Sequence, residues 1–310
     1  MITSALHPRL SQLIREERSD MALGVVYPRD AISLAAARQV ADLGMARVSL
    51  IGPEASLRDI AERENISLTG MQIVPTSEDP KEASKTATLM TRDQKFAVLM
   101  KGSLHTDDLM SAVVHRDYGL RTPRRISHVI LCDVPRYHKL IALADCVVNL
   151  SPDIKQKHDM LVDAIHFLHS IGIAKPKVAI VAAVEVVNPA MPATVDAAEL
   201  VRQSKLPGFP EAIVEGPFGF DNAISAEAAR IKGITSSVSG DPDLVLLPDI
   251  EASNILYKGL IYLADGACAG TITGARVPIV LTSRADTVFS RLASVAVSLR
   301  AARHRPHPNG

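Results

Sequence analysis

No sign of charge dominates this chain. Lys+Arg and Asp+Glu stand at 34 each over 310 residues, a formal net charge of zero. That balance offers no field for a nucleic-acid backbone or an anionic membrane surface. Cysteine is scarce: Cys132, Cys146 and Cys268 are scattered without CxxC spacing. A disulfide framework or a zinc knuckle is thereby excluded, and the three read as buried thiols of a reducing compartment. No stretch approaches the ~20 uninterrupted apolar residues of a membrane span. The opening MITSALHPRLSQLIREERSD reads as a polar amphipathic helix and not as a signal peptide. Motifs are missing as well. There is no Walker A spacing, no GxGxxG, no GxSxG elbow and no HExxH or Cys/His ligand set. His166 and His169, three apart, read as a helix-surface pair. These absences predict a cytoplasmic protein without a bound metal.

What the chain does have is a filled core, with 47% hydrophobic and 22% charged residues. Short β-branched runs alternate with helix-length segments along its length. The runs are ALGVVYP, ARVSLIGP, FAVLMKG, SHVILCDV, DCVVNLSP, KVAIVAAV, AIVEGPF, DLVLLPD and VPIVLTS. Strands apolar on both faces and separated by helices predict an α/β fold with a mostly parallel sheet covered on both sides. Only the tail RAARHRPHPNG is locally basic, and its prolines and lack of periodicity read as a frayed terminus.

In such sheets ligands bind beyond the carboxyl ends of the strands, so what each strand presents there matters most. VPIVLTSRADT ends on Thr282, Ser283, Arg284 and Asp286, just before a helix expected over 287–302. FAVLMKGSLHTDDL ends on Lys101-Gly102 and enters a helix that Ser103 or Thr106 can cap, a start suited to an anion. KVAIVAAVEVVNPAMPAT places Glu185 and Asn188 after a strand, before two prolines expected to hold an extended loop. IVEGPFGFDNAIS ends in Asp221-Asn222, either of which suits a helix cap. DLVLLPDIEASNILYKGL carries Asp249, Asn254 and Lys258, the last expected on a solvated face.

Taken in order, MKGSLHTDDL, GLRTPRRISHV, ADCVVNLSPD, AAVEVVNPAMPAT, EGPFGFDNAIS, GDPDLVLLPDIEASNILYKGL and GARVPIVLTSRADT resemble the phosphate acetyltransferase/phosphate butyryltransferase family. SRAD and NPAMPAT look more like the butyryl branch. The resemblance implies an acyltransferase that interconverts a short-chain acyl-CoA plus phosphate with acyl phosphate plus CoA. It implies two α/β/α domains of the isocitrate/isopropylmalate dehydrogenase-like type with the active site in the interdomain cleft. The boundaries expected are 1–130 plus 271–310 for the first domain and 131–270 for the second. It further implies a homodimer with no bound cofactor, coenzyme A and phosphate being substrates.

By the same resemblance, Ser283 orients or stabilises the CoA thiolate. Arg284 holds phosphate, a task for which a planar guanidinium with paired donors is suited. The aspartate that acetyl-type members carry seven residues beyond the serine is Ser290 here, which leaves Asp286 as the nearest carboxylate. An arginine that such members carry after the KG turn is Ser111 here, and Arg121 is the replacement candidate. Lys101, Gly102, Arg121, Asn188, Asp221, Asn222 and Asn254 are the expected substrate-binding residues. Two other readings stand beside this one: a non-catalytic CoA- or acyl-phosphate-binding protein, and a decarboxylating dehydrogenase on the same fold.

Overall fold

The structure is a computed structural model, and it describes residues 4–281, 283 and 286–304. Thr282 and Arg284 lie outside the described residues, as does most of the tail after His304. The chain divides into two compact units, residues 1–124 with 268–310 and residues 125–267.

The first unit runs α1 (Pro8–Glu16), β1 (Ala22–Val26), α2 (Ala31–Asp42), β2 (Arg47–Gly52), α3 (Glu54–Arg63), β3 (Gln72–Pro75), α4 (Pro80–Arg92), β4 (Val98–Lys101) and α5 (Thr106–Val113). The second contains β5 (Ser127–Asp133), β6 (Ile141–Ala144), α6 (Ile154–Ser170), β7 (Lys177–Val181), α7 (Pro192–Gln203), β8 (Ile213–Phe218), α8 (Phe220–Ile224), α9 (Ala226–Ile231), β9 (Leu244–Leu246) and α10 (Ile250–Tyr262). The chain then returns to the first unit through β10 (Ala267–Thr273), β11 (Ile279–Val280) and α11 (Val288–Arg303).

Strands in the first unit lie in the order β3-β2-β1-β4-β11-β10. All neighbours are parallel except β10 and β11. From β1 the chain moves outward to β2 and β3, then crosses back to β4 on the other side. The reversal sets the carboxyl ends of β1 and β4 side by side, at the place where ligands usually bind in an open α/β sheet. In β1, β2 and β4 nearly every residue is buried, as expected of strands covered on both faces. Helix α11 packs against this sheet with every residue from Arg291 to Leu299 buried.

In the second unit the order is β5-β6-β9-β7-β8, parallel but for β5 and β6. Asp153 and Gln156 form a full capping box at the start of α6, and such caps stabilise a helix by about 1 kcal/mol. The three cysteines are buried thiols, as expected. No helix among the described residues is long and apolar enough to cross a membrane.

Several expected elements shift. DCVVNLSP is not a strand, since β6 ends at Ala144, before it. The reason is Asp145, whose buried carboxylate accepts from the backbone N–H groups of Val147 and Val148 at 2.8 Å each and folds the chain into a turn. Pro192 does not prolong a loop but opens α7, where a missing N–H costs nothing. Neither Ser103 nor Thr106 caps α5, whose N-cap is His105 without a side-chain bond. The helix expected after EGPFGF breaks into α8 and α9 at Ser225, whose hydroxyl caps α9 by accepting from Ala228 N.

Candidate active site

At the reversal in the first unit, the loop after β1 and the loop after β4 touch through backbone. Gly102 N donates to Val26 O at 2.8 Å and Ser103 N to Tyr27 O at 3.0 Å. Ser103 Oγ donates to Tyr27 O and accepts from Arg29 N, which explains why it is not a helix cap. Gly102 is required there. A Cβ would stand 2.6 Å from both the Val26 and Tyr27 carbonyl oxygens, and backbone cannot give way as a side chain can. Lys101, 4% exposed, turns its ammonium onto the carbonyls of Gly102 and Leu104 at 3.3 and 3.0 Å. A buried cation thus sits at the carboxyl end of β4, next to β11.

Beyond β11 the chain makes a tight turn. Ser283 N donates to Asp286 Oδ2 at 2.6 Å and Asp286 N donates to Ser283 O at 3.2 Å. Ser283 is exposed and Asp286 half-buried. Burial pushes the Asp286 carboxyl above its ordinary value, while the Ser283 N–H, Arg291 and Lys101 pull it partly back. Thr287 caps α11 by accepting from Ser290 N, so Ser290 occupies the first helical turn with no ionisable group. The turn therefore offers an exposed hydroxyl and a partly buried carboxylate of raised proton affinity, within the field of two cations. A general base benefits from such a shift, because its affinity then approaches that of the proton it must take.

The other expected residues are placed variously. Arg121 is exposed, and its backbone bridges to Ala275 beside the β10–β11 connection. In the second unit, Asp221 and Asn222 gather with Glu185 past the ends of β7 and β8. Asn222 is fully buried and donates to Glu185 Oε2 at 3.1 Å, and Lys232 bridges Glu185 and Asp221 at 3.3 Å each. The expected capping role of Asp221 or Asn222 is thus overturned. Gly219 is the N-cap of α8, and a Cβ there would meet Asp221 Oδ1 at 2.7 Å. Asn222 Oδ1 is buried with no partner among the described residues. The backbone N–H of Asn222 lowers the Asp221 carboxyl below its ordinary range, with Lys232 adding to it. Asn188 is exposed and its side-chain Oδ1 accepts from Ala190 N in a local turn. Asn254 Nδ2 donates to Cys146 O at 3.0 Å, tying α10 to the turn after β6.

Residues 77–299 match the phosphate acetyl/butaryl transferase description. The chain belongs to this family. Phosphate acetyltransferase of Rhizobium meliloti is 43% identical over 300 residues, covering 96% of this chain and 94% of the relative. Phosphate butyryltransferase of Clostridium beijerinckii is 37% identical, covering 91% and 94%. Among solved structures, a branched-chain phosphotransacylase from Enterococcus faecalis V583 superposes with a TM-score of 0.80 at 25% identity, covering 92% of this chain and all of that one. Overall identity gives no lean to the butyryl branch, since the acetyl-type relative is the more similar of these two.

Sequence reasoning missed Arg29, Asp30 and Arg291, which surround the same loops. Arg29 pairs with Glu78 at 2.5 Å and with the Tyr27 hydroxyl at 2.8 Å. Arg291 carried the one usable signal: a charged residue heading the otherwise apolar-and-small run LASVAVSL.

Proposed function

We propose that this protein interconverts a short-chain acyl-CoA plus phosphate with acyl phosphate plus CoA, and that the turn after β11 carries the chemistry. The observation behind this reading is the pairing of exposed Ser283 with Asp286, whose burial raises its proton affinity beside Lys101. In the direction of acyl phosphate, a phosphate oxygen attacks the thioester carbonyl and the carbonyl π electrons move onto oxygen. The tetrahedral adduct collapses, the C–S bond breaks, and the CoA sulfur leaves with the electron pair. Asp286, having taken the proton that the attacking hydrogenphosphate loses, passes it to the departing sulfur, and Ser283 donates a hydrogen bond to that sulfur. In reverse, the Asp286 carboxylate removes the thiol proton and the thiolate attacks the acyl phosphate, expelling phosphate. Lys101 and Arg284 supply positive charge to the phosphate, where charged hydrogen bonds are strongest. Arg284 enters on its chemistry alone.

Of the remaining expected contacts, Asn222 is fully buried against Glu185. Asn188 and Asn254 are engaged with backbone groups. No resident cofactor or metal enters this scheme. The buried cysteine thiols fit a reducing, cytoplasmic location. A homodimer through α10 belongs to the same reading. Ile255, Gly259 and Tyr262 follow i, i+4, i+7 spacing on one face, with Ile255 and Tyr262 72% and 71% exposed. Gly259 meets no heavy atom within 4 Å where a Cβ would be, so a second helix can approach closely.

The deciding assay is release of CoA from acetyl-CoA and butyryl-CoA with and without phosphate. Release should require phosphate, and arsenate should replace it, because acyl arsenate hydrolyses and draws the reaction forward. Equal release without either anion would mean a thioesterase. No turnover with any acyl-CoA of two to eight carbons would leave only a binding protein.

A further inference from the structure

Arg291 belongs to none of the motifs above, yet it is 2% exposed beside the turn that carries Ser283 and Asp286. A guanidinium withdrawn from water costs several kcal/mol unless its donors and charge are matched. Its bonds show where it is matched. Nη2 donates to Ser283 O at 3.0 Å, and Nε reaches Asp286 O at 3.5 Å. Nη1 reaches Ser33 Oγ at 3.4 Å, and Ser33 in turn donates from Oγ and N to the two carboxylate oxygens of Asp30 at 2.9 and 2.7 Å. One side chain on α11 therefore joins the catalytic turn to the head of α2.

The carbonyl of Ser283 receives two donors, Asp286 N from within the turn and Arg291 from outside it. The second donor ties that carbonyl to α11, and a fixed carbonyl is what positioning for acyl transfer requires.

We propose that Arg291 is a positioning residue for the acyl transfer: its fork fixes the Ser283–Asp286 turn against α11 and α2, and its charge stands beside the Asp286 carboxyl. This rests on the reading that the turn carries the chemistry. The groups facing Asp286 are Arg291 from α11, Lys101 from the end of β4, and the Ser283 N–H, with Asp30 acting on Arg291 from the head of α2. Burial alone drives the Asp286 carboxyl upward, so removing the Arg291 charge leaves that push less opposed and moves the acid limb of the rate profile to higher pH. Lysine keeps the charge but has no fork.

The test uses the full chain and phosphate-dependent CoA release, measured from roughly pH 5.5 to 8.5 and corrected for folded fraction by thermal unfolding. Arg291→Met should lower kcat about tenfold or more, change KM for phosphate by less than about threefold, and raise the acid limb by about half a unit to one unit. Arg291→Lys should lower kcat severalfold yet keep the wild-type acid limb. A folded Arg291→Met with wild-type kcat and acid limb overturns the inference. So does an Arg291→Lys that moves the limb as far as methionine does. Should the methionine variant not fold, Arg291→Lys decides, and wild-type kcat in it overturns the fork. Asp286→Asn separates the two claims. Full activity there ends the reading of the turn as catalytic, whereas an inactive Asp286→Asn with an unaffected Arg291→Met ends only the role of Arg291.

Discussion

Replacing Asp286 by asparagine removes the proton acceptor and almost nothing else. Asparagine keeps an oxygen for the Ser283 N–H, the 2.6 Å bond that closes the turn. The free thiol of CoA resembles that of cysteine, with a pKa of roughly 8.5, so only a few per cent is thiolate near pH 7. A positioned base is worth about 10²–10⁴ in rate, or roughly 3–5 kcal/mol of barrier at 1.36 kcal/mol per decade. The loss should appear in kcat at neutral pH, with acyl phosphate and CoA as substrates. It should shrink as pH rises, because the thiol then ionises unaided. Between about pH 7 and 8.5 the thiolate fraction grows roughly sixteenfold, and the variant should regain about that much while wild type gains little.

Stability gives a second, opposite readout. The folded carboxyl of Asp286 is raised above its unfolded value, chiefly by burial. Folded and unfolded states bind that proton alike below the unfolded value. As pH climbs through the interval the unfolded state releases it first, so the folded state loses stability and stays lower above the interval. Asp286→Asn should therefore melt at the wild-type temperature or higher at neutral pH, the usual stability–activity exchange of an active-site group. A kcat within about threefold of wild type refutes the base. A clear drop in melting temperature would instead make Asp286 a structural ion-pair partner.

Gly102→Ala places a methyl 2.6 Å from two backbone carbonyl oxygens, and overpacking of that kind costs about 1–3 kcal/mol; urea unfolding should register that loss, with phosphate KM raised as the loops part. His128 is fully buried with neither ring nitrogen bonded among the described residues, and burial pushes it down to about 4 despite nearby Asp145. The unfolded chain therefore binds the extra proton between about pH 6.5 and 4, so stability should fall by about 2 kcal/mol from pH 7.5 to 5. A His128→Leu variant should lose that part of the dependence, and an unchanged slope would contradict it. Ile255→Asp, on the exposed face of α10, should leave the melting temperature within a few degrees and convert dimer to monomer in light scattering; a wild-type mass would remove α10 as the interface.

The alternation of apolar runs and helix-length segments was enough for the α/β class, because strands buried on both faces leave an uninterrupted apolar signature. It was enough for most strand ends too, and hence for Lys101, Ser283 and Asp286 as candidates, since polar residues that follow such a run must lie at the sheet's carboxyl edge. Family membership also came from order along the chain: seven short stretches in sequence carry more information than any one of them. Short-range chemistry was less legible. Asp145 looks in sequence like the start of a strand, and only the two N–H groups it captures make it the end of one. Asp221 and Asn222 look like caps, and only their distance to Glu185 and Lys232 removes them from that role.

By itself, then, the sequence determined the layers, the carboxyl-edge residues and the family, all of which depend on periodicity and local order. The tertiary structure decided what those residues experience. Strand order brings β11 beside β4, and so Lys101 near Asp286, though some 185 positions separate them in the chain. Burial raises the proton affinity of Asp286, and α11 carries Arg291 to within 3.0 Å of the Ser283 carbonyl. Desolvation and through-space charge depend on distances between elements far apart in sequence, and no local pattern of residues encodes them.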